Sequence, residues 1–180
     1  MLIVSVCFFT SAHGADDYLY RWGIVGGYGT SHPGWGDTDE RVKTIDIAFR
    51  YEIASKAATG HSWYRNRHSV DIEFPVHFVR TPEHSSMTGV NFLSRWTFRM
   101  GGLLMPYLLL GGGPLYSNAD IPDMSSKING SYQAGIGFQF NAQKRQYTLD
   151  VRYHHISNGG LKKPNMPLNS SKILLGVMFD

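Results

Sequence analysis

From Tyr18 to the C-terminus, apolar and polar residues alternate with a period of two, and no segment carries a helical repeat of useful length. Eight segments follow the alternation: 18–28, 42–54, 67–80, 88–100, 105–117, 130–140, 146–157 and 169–179. In the first, Tyr18, Tyr20, Trp22, Ile24 and Tyr28 share a face. The second sets Ile45, Ile47, Phe49, Tyr51 and Ile53 against Thr44, Asp46, Arg50 and Glu52. The third sets Val70, Ile72, Phe74, Val76 and Phe78 against Ser69, Asp71, Glu73 and His77, and the fourth sets Val90, Phe92, Trp96 and Phe98 against Asn91, Arg95, Thr97 and Arg99. The pattern predicts an all-β chain of eight antiparallel strands, an even number that lets the ends of the sheet meet.

A sheet with one apolar and one ionisable face closes into a barrel in two ways, because alternation alone does not say which face turns inward. A soluble, lipid-binding barrel encloses the apolar face. A transmembrane barrel turns it to lipid and encloses Asp46, Arg50, Glu52, Asp71, Glu73, His77, Arg95, Arg99, Asp150 and Arg152 as a mutually satisfied network. Strands of about ten residues suit a tilted crossing, and aromatic residues (Tyr18, Tyr28, Tyr107, Tyr116, Tyr147, Tyr153) gather near strand ends as they do at membrane interfaces. The expectation is an eight-stranded antiparallel transmembrane β-barrel.

The first residues, MLIVSVCFFTSAHGADD, add to this reading. A short apolar run ends in Ala12-His13-Gly14, a small-x-small pattern suited to signal peptidase, so residues 1–14 are expected to be a signal peptide and 15–180 the barrel domain. The single cysteine, Cys7, falls within that leader, which leaves no disulfide to be expected in the mature chain. A formal net charge of +3, with basic residues scattered, argues against a nucleic-acid partner. Glycine-rich, aromatic-rich composition with 17% charged residues agrees with β structure and tight turns.

One departure from the alternation carries chemistry. In the seventh segment Thr148, Asp150, Arg152 and His154 share the polar parity, whereas His155 and Ser157 continue the lipid-facing series of Tyr147, Leu149, Val151 and Tyr153. Polar side chains turned toward a bilayer call for interfacial depth or a function. His155 has the chemistry to take the Ser157 proton and return it to a leaving alcohol. If the eighth strand returns antiparallel with Asn169 near Ser157, Asn169 and then Ser171 are the candidate partners that orient the imidazole. Gly159 and Gly160 follow the serine, and exposed N–H groups there, with Asn158 or Asn165, offer oxyanion donors; a plain turn is the simpler reading of the glycines. His154 points away from His155 in a regular strand and the other histidines lack ligand spacing, so no metal or other cofactor is expected.

The segment HISNGGLKKPN, 155–165, resembles the His-x-Ser-Asn-x-Gly-Leu-Lys-x-Pro-Asn signature of the PagL family of lipid A 3-O-deacylases, and PYLLLGGGPLYS (106–117) and GSYQAGIGFQF (130–140) extend the resemblance more loosely. The resemblance implies an eight-stranded barrel in the outer membrane of Gram-negative bacteria, with a serine esterase site on its outer wall and lipopolysaccharide as substrate. It implies Ser157 as nucleophile, His155 as general base, and Gly160 and Asn165 at the oxyanion hole. Lys162 and Lys163 are placed to approach lipid A phosphates, although a lysine pair in a loop is commonly just solvated. The acidic member of the family's triad aligns with Asn169, so this chain has an amide where the family has a carboxylate. That substitution is the main support for the rival expectation, a structural or adhesive barrel without catalysis.

Overall fold

A computed structural model describes residues 17–34, 39–98, 103–143 and 145–180. The expected signal peptide, Cys7 and Arg99 lie outside them. The strands are β1 (Tyr18–Ser31), β2 (Lys43–Ser55), β3 (Asn66–Thr81), β4 (Ser85–Gly89), β5 (Asn91–Phe98), β6 (Met105–Ser117), β7 (Ile128–Ala142), β8 (Arg145–Ser157) and β9 (Leu168–Phe179). Pairing is antiparallel throughout and runs between sequence neighbours except that β4 and β5 both lie between β3 and β6, and β1 pairs with β9 from Trp22↔Phe179 to Ser31↔Ser170, which closes the sheet. Closure gives every strand two partners and removes the free edges that hydrocarbon would not tolerate.

The fourth expected strand is present in two pieces. β4 and β5 hold one register against β3 (His77↔Met87, Glu73↔Asn91) and one against β6 (Met87↔Ser117, Phe92↔Gly112), so they are a single strand of an eight-stranded ring, interrupted at Val90. Extrapolating those registers sets Pro75 and Pro114 beside the gap, and neither has an N–H to give the ladder. The Val90 N–H still donates to the Pro114 carbonyl at 3.1 Å, and the Thr88 hydroxyl to that of Pro75 at 3.0 Å.

The apolar face turns outward. Ile24, Ile47, Phe49, Phe74, Phe92, Ile136, Val151 and Ile173 are all exposed, whereas Asp46, Arg50, Glu52, Asp71, Glu73, His77, Arg95, Asp150 and Arg152 are buried in the lumen. This excludes the soluble-barrel alternative, whose apolar residues would fill the interior. Arg50 Nε reaches Glu73 at 2.8 Å and its Nη2 reaches Asp150 at 2.9 Å. Arg152 binds Glu73 through both terminal nitrogens, at 2.9 and 3.0 Å, and also contacts Asp150 and Gln133. Arg95 pairs with Glu52 and Asp71, and Lys172 with Asp46. Interleaved opposite charges are what keep so many buried ions tolerable, since an unpaired one costs several kcal/mol, on the order of 3–5.

Above this ionic layer, Val42, Val79, Met87, Leu115, Ile121, Met124, Ile156 and Leu168 form an apolar cluster. Ile121 and Met124 come from the β6–β7 connection, so that loop tucks two side chains into the mouth of the barrel. This end also carries the connections 32–42, 82–84 and 158–167, and the other end carries 56–65, 99–104 and 143–144.

Candidate active site

β8 sends Tyr153, His155 and Ser157 to the outer wall in succession, while Arg152, His154 and Ile156 turn inward. β9 faces them with His155↔Asn169 and Tyr153↔Ser171. This corrects the expected pairing of Asn169 with Ser157 by two residues. A shift of two preserves parity, so Asn169 still points outward, now directly across from His155. The loop is one residue shorter than expected because β9 begins at Leu168.

In this register a continuous polar chain runs across the two strands. His155 Nδ1 lies 2.7 Å from Asn169 Oδ1, and His155 Nε2 lies 3.0 Å from Ser157 Oγ. An amide oxygen accepts, so Nδ1 carries the proton and Nε2 is left to accept from the serine. Tyr153 OH donates to the same Asn169 Oδ1 at 2.6 Å. Ser171, the other expected partner, is instead 2.8 Å from His32 Nε2 and takes no part in the chain. The Asn169 carbonyl accepts from the His32 N–H at 3.0 Å, tying the start of β9 to the end of β1.

The loop after Ser157 is held by its own asparagines. Gly159 and Gly160 take φ of 65° and 81°, left-handed conformations that glycine adopts without steric cost. Asn158 Oδ1 accepts from the Gly160 N–H at 2.9 Å, its Nδ2 donates to Lys162 O at 2.8 Å, and its backbone N–H donates to Asn165 Oδ1 at 3.0 Å. The Gly160 N–H is therefore already engaged, whereas Asn165 Nδ2 has no partner among the described residues. The Asn165 amide plane is fixed through its oxygen. Lys162 and Lys163 are exposed.

A second loop braces the first. The Met166 N–H donates to Asp123 O at 2.9 Å, and Ser125 reaches Pro164 O with its N–H at 3.2 Å and its hydroxyl at 2.7 Å. The β6–β7 loop, anchored by Ile121 and Met124 in the barrel mouth, thus fixes the height of the β8–β9 loop. On the β7 side, Ser157 stands opposite Gly130 and His155 opposite Tyr132. A groove of about 330 Å³ lies next to Gly130, the residue opposite Ser157, and is lined by Pro114, Ile128, Gly130, Tyr132, Asn158 and Leu161. The Tyr132 ring lies against Gly130 and is tilted toward the His155 ring at a centroid distance of 6.0 Å.

Sequence reasoning did not find the roles of Tyr153, Asn158 and the Asp123–Ser125 brace. Tyr153 stood out only as an interfacial aromatic, and its contact with Asn169 is a diagonal one that exists only in the observed register.

The fold and the wall-mounted polar cluster define an outer-membrane β-barrel with a candidate hydrolytic site facing the bilayer. The profile of the family described as "Lipid A 3-O-deacylase (PagL)" matches residues 25–178. The chain belongs to that family, and its place is the outer membrane of Gram-negative bacteria. No curated protein matches the chain. Among solved structures it is similar to the outer membrane enzyme PagL, with a TM-score of 0.59, 16% identity, and 88% of this chain and 98% of that one covered. It is similar also to Neisserial surface protein A, with a TM-score of 0.58, 14% identity and coverage of 93% and 99%. At these identities the two structures speak for the fold alone.

Proposed function

We propose that the chain is a serine esterase that removes the acyl group at the 3-position of lipid A. The observation that carries this is the chain Asn169–His155–Ser157, with contacts of 2.7 and 3.0 Å, on the wall that meets lipid. Family membership supplies the substrate class.

In this reading Ser157 Oγ attacks the ester carbonyl carbon as its proton passes to His155 Nε2. The tetrahedral oxyanion draws on Asn165 Nδ2, with the Gly160 N–H joining once Asn158 Oδ1 releases it. Collapse breaks the bond to the sugar 3-oxygen, which takes the proton from His155 and departs as the alcohol. Water, deprotonated by the same imidazole, then hydrolyses the acyl-enzyme and frees a 3-hydroxy fatty acid or its 3-acyloxy derivative. The groove next to Gly130 suits the departing acyl chain, and exposed Lys162 and Lys163 suit the phosphates at headgroup level. Three of the four connections at the site's end, 32–42, 118–127 and 158–167, are long, which supports reading it as the cell-exterior end, at the depth of lipid A headgroups.

Asn169 orients the imidazole but adds no negative charge to stabilise imidazolium, so turnover is slower than with a carboxylate. The same residue favours the second reading, a barrel that keeps the fold without the reaction. Mass spectrometry of lipid A from cells expressing the chain or its Ser157→Ala form separates the two. The expected result is loss of one 3-linked acyl group only with intact Ser157. Identical lipid A in both, with both proteins folded in the membrane, overturns the esterase reading.

A further inference from the structure

We propose that Tyr153 is a positioning residue that adapts the site to an amide in place of a carboxylate, by fixing which end of Asn169 faces His155. The inference rests on the esterase reading above and concerns a side chain that makes no contact with Ser157.

A carboxylate presents an acceptor oxygen on either side, so an imidazole beside it always donates through Nδ1. An amide has one oxygen and one NH2 group, and its two orientations dictate opposite tautomers. With Oδ1 toward the ring, Nδ1 holds the proton and Nε2 accepts from Ser157. With Nδ2 toward the ring, Nδ1 must accept, the proton sits on Nε2, and the serine loses its base. Some group therefore has to select the first orientation. Tyr153 reaches the Asn169 oxygen at 2.6 Å, while His155 Nδ1 reaches the same oxygen at 2.7 Å. With the Tyr153 phenol donating, the atom it meets is the amide oxygen, the same atom that accepts from His155 Nδ1. The two donors fill the two lone pairs of one oxygen, and Asn169 is 7% exposed, which limits competition from water. The strand register brings this about: His155 lies directly across from Asn169, and Tyr153, two residues earlier on the same face, reaches it diagonally.

Tyr153 therefore has work to do only while position 169 is an amide, and this makes the idea testable by coupling. In the purified barrel, Tyr153→Phe is expected to lower kcat for lipid A deacylation about tenfold or more at unchanged KM. In the Asn169→Glu background the same substitution is expected to change kcat less than about twofold, because either carboxylate oxygen serves. Equal losses in both backgrounds would mark Tyr153 as merely structural and overturn the inference, as would no loss in either. A second readout does not depend on turnover: nitrogen-15 NMR of histidine-labelled protein in nanodiscs. Wild-type His155 is expected as the Nδ1–H tautomer, and Tyr153→Phe as a mixture with Nε2–H. An unchanged tautomer in the variant overturns the inference even if the chain shows no deacylase activity, and a shifted tautomer sustains it while the activity assay separately judges the esterase reading.

Discussion

At the scale of single residues, the candidate site turns on one pair, His155 and Asn169. Asn169 gives His155 an acceptor at 2.7 Å and no charge. In the proposed mechanism the imidazole becomes positive in the transition state, and Asn169→Glu sets a carboxylate beside it. The expected outcome is a kcat raised about tenfold or more, equivalent to about 1.4 kcal/mol of barrier, read as the rate of fatty-acid release. Asn165 makes the complementary case. Its oxygen is held by the Asn158 N–H while its Nδ2 has no partner among the described residues, so Asn165→Ala should lower kcat by about a hundredfold, as removal of one oxyanion donor does, with the folded fraction unchanged by heat-dependent gel mobility. His155 and Ser157 were legible in the sequence because parity alone sets them on the lipid face. Tyr153 was not, since its partner lies sixteen residues away and across a strand pair whose register only the folded loop decides.

At the scale of elements, strand faces followed directly from the alternation. Asp46, Arg50, Glu52, Asp71 and Glu73 turn into the lumen, and Ile47, Phe49, Ile72 and Phe74 away from it, as a period of two requires. The interruption at Val90 was less legible: Gly89 is a weak local signal for a break, and the prolines beside the gap, Pro75 and Pro114, sit on neighbouring strands. The β8–β9 loop likewise depends on a remote brace, through Asp123 and Ser125 to Met166 and Pro164. Gly160, with φ of 81°, carries this loop through its turn. Gly160→Ala is expected to cost about 1 kcal/mol locally, which displaces the loop. Deacylation should fall several-fold while the barrel's unfolding midpoint in guanidinium moves little.

At the scale of the whole molecule, the lumen is sealed at one level by ions and at another by the apolar cluster at the mouth, so the barrel is a scaffold whose wall presents the site. Breaking the ionic layer should threaten the entire fold: Arg152→Met leaves Arg50 as the one guanidinium shared by Glu73 and Asp150, an excess of buried negative charge with an expected loss of about 3–5 kcal/mol in unfolding free energy. On the lipid side, Ile136→Arg at an exposed mid-strand position should cost about 2–4 kcal/mol. Because Ser157 opens sideways from the wall, the proposed substrate never leaves its leaflet, and the released fatty acid enters that same leaflet. Encounter then becomes a two-dimensional process governed by mole fraction in the film. Adding inert detergent at fixed lipid A should slow the reaction in proportion to surface dilution, whereas diluting the whole sample with buffer should leave the rate per enzyme unchanged.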